Sequence, residues 1–255
     1  MKTVAVANQK GGVGKTTTSV NLAASLGAMG KSVLLVDLDP QGNATMSSGV
    51  DKHAVELTAY DLLIDGTPIE QVAVRAQDNG YYLVAANRDL TAAEVELLAL
   101  DNRERRLADA LTGASDYDFV IIDCPPSLSM LTVNALVAAR SVIITMQCEY
   151  FALEGLSALL NTIRRVADTV NPDLDIEGIL RTMYDPRNAL TGEVSSQLHK
   201  HFGDLVYRTV IPRNVRLAEA PSHGLPALYY DRLSTGAKAY AALAGEFMKR
   251  QAPAT

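Results

Sequence analysis

Five short runs in this chain are almost continuously apolar: Val4–Ala7, Val33–Val36, Phe119–Ile122, Ser141–Thr145 and Ile176–Met183. They lack the in–out alternation of a half-exposed strand and so predict strands buried on both faces, the habit of parallel sheets. Between them the period changes. In 152–170, Leu153, Leu156, Leu160, Ile163, Ala167 and Val170 recur at helical spacing with Arg164 and Arg165 opposite, an amphipathic helix. Thr91-Ala-Ala-Glu94 has the form of a capping box and predicts a helix from there to about residue 112. Ala237, Tyr240, Ala241, Ala244, Phe247 and Met248 give the last helix its apolar side. Alternation of this kind predicts an α/β fold, a doubly wound, mostly parallel sheet with helices on both faces and right-handed crossovers. No repeat or Pro/Ser-rich linker divides the chain, so one domain is expected over 1–251, with Ala252–Thr255 frayed. Residues 42–90 carry short elements whose order the pattern does not give.

Composition narrows the class. A chain of 255 residues with 48% apolar and 20% charged residues can bury a full core and reads as a soluble globular protein. The net charge of −6 argues against a uniformly basic nucleic-acid binder. Residues 181–250, however, hold ten Lys/Arg against six Asp/Glu, and local clustering sets the field that a polyanion meets. Cys124 and Cys148 are the only cysteines, with no metal-ligand spacing, which suits two buried thiols in a reducing cytosol. The first apolar run ends at Asn8, too soon for a secretory signal, and no stretch approaches a membrane span, so a cytoplasmic protein is expected.

The chemistry begins where the first strand ends. Gly11-Gly12-Val13-Gly14-Lys15-Thr16-Thr17 lies between that strand and a segment with Val20, Leu22, Ala23 and Leu26 at helical spacing. Glycines there let backbone N–H groups point at phosphate oxygens, beside the positive end of the following helix. The pattern is a phosphate-binding loop in displaced form, its first conventional position falling at Asn8 or Gln9. Lys15 then reaches the β/γ-phosphates and the Thr16 hydroxyl is placed for Mg²⁺. Asp123, at the carboxyl end of a buried strand, is where a Mg²⁺-associated acid belongs, with Pro125-Pro126 breaking the strand after it.

A second lysine, Lys10, opens the loop, and Lys10-Gly-Gly-Val-Gly-Lys15-Thr-Thr with Asp37-Leu-Asp39-Pro-Gln-Gly-Asn resembles the deviant Walker A ATPases of the ParA/Soj partition family. The resemblance continues through Asp123-Cys-Pro-Pro-Ser, Gln147-Cys-Glu-Tyr-Phe-Ala-Leu-Glu-Gly155 and Ile211-Pro-Arg-Asn-Val-Arg-Leu-Ala-Glu-Ala-Pro-Ser-His-Gly224, and so spans nearly the whole chain. It implies ATP and Mg²⁺ as cofactors and an ATP-sandwich homodimer, with Lys10 reaching across to the partner's phosphates. It implies that Asp39 positions the attacking water and joins Thr16 and Asp123 around the metal, and that Pro212 and Asn214 line the adenine pocket. It implies that Arg187 and Arg216 contact duplex DNA without base readout, that a ParB-like protein stimulates an intrinsically weak hydrolysis, and that the protein associates with the nucleoid.

Two other classes compete. A MinD-like membrane-cycling ATPase needs a basic amphipathic anchor at its end, and the alanine-rich segment from Ala241 to Thr255 does not have that form. Metabolic relatives include ATP-dependent ligases and a nitrogenase-type reductase. The reductase needs cluster-binding cysteines that Cys124 and Cys148 do not supply, and the ligase needs an acceptor pocket that the sequence does not mark.

Overall fold

The computed structural model describes residues 1–76, 80–150 and 152–251; Phe151 and the Ala252–Thr255 tail lie outside the described residues. All five apolar runs are strands. In chain order the first half holds β1 (Lys2–Ala7), α1 (Lys15–Ala28), β2 (Val33–Asp37), α2 (Asn43–Ser47), α3 (Ile69–Val72), β3 (Ala73–Arg75), β4 (Tyr82–Val84), α4 (Leu90–Glu96) and α5 (Arg106–Ala110). There follow β5 (Phe119–Asp123), α6 (Met130–Ala138), β6 (Ser141–Gln147), α7 (Ala152–Thr169), β7 (Asp175–Tyr184), α8 (Ala189–Phe202), β8 (Val206–Pro212), α9 (Val215–Glu219), α10 (Ala227–Tyr230) and α11 (Thr235–Gln251). They form one eight-stranded sheet in the order β3-β4-β2-β5-β1-β6-β7-β8. Every pair is parallel except β3 with β4, at one edge.

Alternate strand residues feed two cores. Val4, Val6, Val33, Leu35, Ile121 and Ile143 face α1 and α11, where Leu22, Leu26, Leu243 and Phe247 are buried. Ala5, Leu34, Val36, Val120, Ile122 and Ile144 face the other way, onto Leu131, Leu136, Leu156 and Ile163 of α6 and α7. Burial on both faces is why these strands read as unbroken apolar runs. The chain leaves β1 toward β2 on one side and reaches β6 on the other, so the strand order reverses at β1. A crevice opens at the carboxyl ends of strands at such a switch point.

The helix predicted over 91–112 is two helices. Thr91 lies inside the first turn of α4 instead of capping it, and the residue at the cap position, Asp89, makes no side-chain cap bond. The chain turns extended at Leu100, and Asn102 takes a left-handed φ of 53°. Asn134 of α6 supports the break: its Oδ1 accepts from the Leu107 N–H at 3.1 Å and its Nδ2 donates to the Arg103 carbonyl at 2.8 Å. The side-chain amide of a residue distant in sequence thus satisfies backbone groups that a continuous helix would have paired. Two smaller shifts are rotations of a helix face. Leu159 and Val166 join Leu156 and Ile163 as the buried side of α7, and Leu243, not Ala241, is buried in α11.

The other left-handed residue besides glycine, among those described, is Met183 with φ 47°. Asn tolerates that region, whereas a longer side chain there costs about 1–3 kcal/mol. Next to it Arg181 is a buried cation whose guanidinium donates to Ser195 Oγ at 2.7 Å and to the Tyr207 carbonyl at 2.8 Å, tying α8 and β8 to β7.

Gly178 makes the close approach of β7 and β8 possible. A Cβ there would stand 2.6 Å from Tyr207 Cε2 and 2.9 Å from the Leu205 carbonyl oxygen, and the Tyr207 ring is wholly buried. Gly178→Ala is therefore expected to destabilise the fold by about 1–3 kcal/mol, read as a lowered melting temperature. An unchanged melting curve would mean that the ring moves aside without cost.

Candidate nucleotide site

The loop between β1 and α1 is shaped by two glycines with positive φ, Gly12 at 71° and Gly14 at 84°. Gly11 and Gly12 have nothing within 4 Å of where a Cβ would stand, so their backbone faces open space. Asn8 anchors the loop, its Nδ2 donating to the Thr145 carbonyl and its Oδ1 accepting from the Lys10 N–H at 2.9 Å. Thr182 holds the far side by donating to the Val13 carbonyl at 2.8 Å.

Lys15 opens α1 buried, its ammonium donating to the Lys10 carbonyl at 3.1 Å. Burial pushes its pKa below the ordinary lysine value, against the opposing pull of Asp123 and Asp39. Thr16 Oγ1 donates to Asp123 Oδ2 and Ser19 Oγ to Asp123 Oδ1, both at 2.8 Å. Asp37 stands beside Asp123 in register on β2. Its Oδ2 accepts from the Thr45 N–H and hydroxyl, each at 2.8 Å, which fastens α2 to the strand end. Asp37 and Asp123 are both fully buried, and desolvation pushes both carboxyls upward, Asp123 further through the nearby charge of Asp37. Asp39 lines the cavity over the loop, with Oδ1 accepting from the Gln41 N–H at 3.0 Å.

That cavity, about 540 Å³, is lined by Gly12, Gly14, Lys15, Thr16 and Asp39 among others. A second, about 450 Å³, is lined by Pro212, Asn214, Ile211, Thr182 and Tyr240. Gly14, Thr17 and Met183 line both and form the wall between them. Charged phosphates suit the first and a flat, mostly apolar base the second. Among the described residues no three His, Cys, Asp or Glu side chains converge as a ready metal cage. A hard cation beside Thr16 and Asp123 would therefore complete its shell from ligand oxygens and water, as Mg²⁺ does in phosphate sites.

The side chains of the remaining sequence candidates do not meet those of Lys15, Thr16 and Asp123. Lys10 is exposed and its ammonium meets Glu149 Oε2 at 2.5 Å. Arg187 follows β7 and Arg216 follows β8, and these strands end side by side at the Tyr184–Pro212 pair, so both arginines lie toward one end of the sheet. Each already holds carboxylates: Arg187 grips Asp185 with Nε at 2.9 Å and Nη2 at 2.8 Å, and Arg216 meets Glu219 at 2.8 Å and Asp231 at 3.3 Å. Asn214 is the N-cap of α9, its Oδ1 accepting from the Arg216 N–H at 3.0 Å. Sequence reasoning missed Ser19, Thr182 and Met183. Ser19 could have been found, since it lies one helical turn from Lys15 and Thr16.

The glycine loop, the buried strand-end carboxylates and the parallel sheet define the fold of a P-loop ATPase. A family model described as an AAA domain matches residues 1–176. The sporulation initiation inhibitor protein Soj of Bacillus subtilis is 53% identical over 246 residues, covering 96% of this chain and 97% of that protein. The chromosome partitioning protein ParA of Caulobacter vibrioides is 48% identical over 254 residues, 98% of this chain and 95% of that one. A structure described as cobyrinic acid a,c-diamide synthase from Mycobacterium smegmatis with bound ADP and magnesium superposes with a TM-score of 0.85 at 39% identity, covering 98% and 94% of the two chains. This chain belongs to the Soj/ParA family of chromosome-partitioning ATPases.

Because folding raises the Asp37 and Asp123 carboxyl pKa values, the folded state holds more protons than the unfolded one above the ordinary aspartate range. The ligand-free protein should lose stability as pH rises from about 4 toward neutrality. Asp123→Asn is neutral at every pH and keeps an acceptor for Thr16, so it avoids the cost of either ionising or protonating this buried group, and its melting temperature at neutral pH should exceed that of the parent. A variant less stable than the parent at neutral pH would show that the ionised carboxylate stabilises the fold.

Proposed function

We propose that this chain is a DNA-segregation ATPase that binds Mg·ATP across the two cavities, dimerises in that state, and holds duplex DNA through Arg187 and Arg216 until hydrolysis releases it. The observation that carries this reading is the meeting of Lys15, Thr16 and Asp123 at the mouth of the glycine loop, beside a second cavity of base size. The residues fit the ligand: among the described residues Lys15 donates to a backbone carbonyl alone, and the Asp123 carboxyl, held by Thr16 and Ser19, is raised by desolvation and by the charge of Asp37, a cost that a bound cation would offset. Bound Mg·ATP would supply the electrophilic γ-phosphorus and a cation to offset the negative charge that Asp37 and Asp123 place under the loop.

Each side chain then has one task. Lys15 holds phosphate charge. Thr16 and Asp123 hold the cation, and Asp39, at the cavity wall, orients the attacking water by accepting from it. Catalysis in phosphoryl transfer is largely such positioning and charge stabilisation. Lys10 must leave Glu149 to reach a second copy, so its charge at the partner's phosphates is available only in the assembled dimer. That dependence gives hydrolysis the character of a slow timer, which a ParB-like protein would accelerate. In the cytoplasm the ATP dimer would coat the nucleoid. The apolar side of α11 packs into the core through Tyr240, Leu243 and Phe247, which favours DNA over a membrane as the docking surface. No helix among the described residues is long and apolar enough to cross a membrane.

Three variants separate binding, assembly and chemistry. Lys15→Ala should lose ATP affinity in calorimetry with its fold intact. Asp39→Ala should bind ATP and dimerise but hydrolyse poorly, so that the dimer accumulates in sedimentation. Lys10→Ala should bind ATP and stay monomeric; a Lys10→Ala protein that dimerises on ATP addition would refute the cross-interface lysine.

On the DNA side, Arg216→Glu should abolish duplex binding while leaving ATP affinity near that of the parent. Arg216→Ala should lower the slope of log affinity against log salt by about one for each phosphate that the arginine neutralises, or about two for a symmetric dimer. The weakening should be alike on unrelated duplexes, and unchanged slopes for Arg216→Ala and Arg187→Ala would remove both from the DNA surface.

A further inference from the structure

β7 loses its regular pairing where it meets the glycine loop. Its pairing with β6 ends at Gln147–Thr182. Against β8, Arg181 faces Val210 and Tyr184 faces Pro212, so β7 takes three steps where β8 takes two. This follows a shift of the opposite sense between Ile179 and Arg181, so the β7–β8 register is irregular over 179–184; such bulge-like irregularities re-aim side chains beside functional sites, and within this one Met183 is left-handed at φ 47°.

The bulge touches three things at once. Thr182 donates to the Val13 carbonyl, and its Cγ2 would lie 3.5 Å from a Cβ on Gly14, so it seats the strand directly on the loop. Met183 lines both cavities; of the three residues in the shared wall it alone carries a long, unbranched side chain. Asp185, two residues on, accepts from the Arg187 N–H at 3.0 Å and grips its guanidinium, whose side chain is 88% exposed. The Asp185 carboxyl is held low, at about 2, by Arg187 and in smaller part by Arg213, which itself lines the second cavity. Six consecutive residues thus run from the phosphate loop, along the wall between the cavities, to an arginine on the surface.

We propose that Met183 is a positioning residue that sets nucleotide affinity and couples occupancy of the two cavities to the placement of Arg187. The proposal rests on the nucleotide reading above. A ligand that spans both cavities must pass the wall of Gly14, Thr17 and Met183, and so it meets the one strained residue of the segment. For a non-glycine residue the left-handed well is narrow, so a ligand packed on the Met183 side chain holds the backbone at that point within a small range. The Val13–Thr182 bond fixes one end of the segment and the Asp185–Arg187 pair the other. With the wall occupied, the direction of the Asp185–Arg187 pair is set; with it empty, the bulge is free to relax and the arginine to move.

The test uses the full chain with Met183→Gly, Met183→Ala and, as a control, Asn102→Gly, the other left-handed non-glycine position. Two quantities are read: the ATP dissociation constant, and the ratio of affinities for a short non-specific duplex at saturating ATP and at saturating ADP. Met183→Ala, which keeps the narrow backbone well but shortens the side chain to a methyl, should weaken ATP binding about tenfold. Met183→Gly, which frees the backbone as well, should also lower the ATP-to-ADP ratio by at least about fivefold. Asn102→Gly should match the parent in both. Glycine suits a left-handed φ, so Met183→Gly should melt no lower than the parent, and Met183→Ala provides an independent reading. Parent values of the dissociation constant and the ratio in both Met183 variants, with or without a change in melting temperature, would overturn the proposal alone. A parent protein that binds no ATP would overturn the nucleotide reading and the proposal together.

Discussion

Asp123 is a carboxylate fully buried at the end of a central strand, with Thr16 and Ser19 hydroxyls as its hydrogen-bond donors. Those two bonds fasten the first turn of α1 to β5, and with it the glycine loop that α1 terminates. Asp37 does the same for the neighbouring strand, gripping Thr45 and so fixing α2. The floor of the crevice is therefore two acidic side chains whose ionised forms burial disfavours. Strain of this kind is tolerated where a ligand relieves it, and a cation bound with phosphate oxygens is the partner that the chemistry calls for. Lys15, buried and bonded to a backbone carbonyl, is the complementary half: a positive charge held ready beside open space.

From that floor the architecture extends along the strand ends. The phosphate cavity stands over β1, β2 and β5, and the second cavity over β7 and β8. A molecule with a charged end and a flat apolar end matches both. Arg187 and Arg216 lie in the chain just beyond residues that line the second cavity, Met183 and Val215, so the surface proposed to meet a polyanion would adjoin the ligand site. Each of those arginines is paired with acids of its own chain, and under the proposed function these pairs would lower its standing attraction for DNA. Lys10 is likewise paired, with Glu149, and the proposed dimer would have to break that pair.

Much of this was legible in the sequence, for identifiable reasons. A strand buried on both faces is apolar at most positions, so β1, β2, β5 and β6 stood out as runs, and β7 did so less cleanly because it buries Glu177, Arg181 and Thr182 with polar partners. β3 and β4 are only three residues long, and β8 lies at an edge with Arg208 exposed, so none of them leaves such a run. Glycine and lysine spacing marked the phosphate loop because positive φ at Gly12 and Gly14 leaves few alternatives. The false continuous helix over 91–112 came from reading local caps where a distant side chain, Asn134, decides the outcome. Met183 could not be read at all: nothing in a methionine near a strand end signals a left-handed backbone, which here lies where the β7–β8 register shifts. Thr182 was equally silent, since its role depends on the loop lying against it.

The central claim is that the crevice is completed by a cation and phosphate together, and heat measures this most directly. The unmodified chain should be melted with a non-hydrolysable ATP analogue in Mg²⁺, with the analogue in EDTA, and with Mg²⁺ alone. At about a hundred times the dissociation constant the bound ligand should add about 2.7 kcal/mol, raising the melting temperature by roughly 5–10 °C for a chain of this size. That shift is expected for analogue with Mg²⁺, and a much smaller one for either component alone. An equal shift in EDTA, or no shift in Mg²⁺, would contradict the claim.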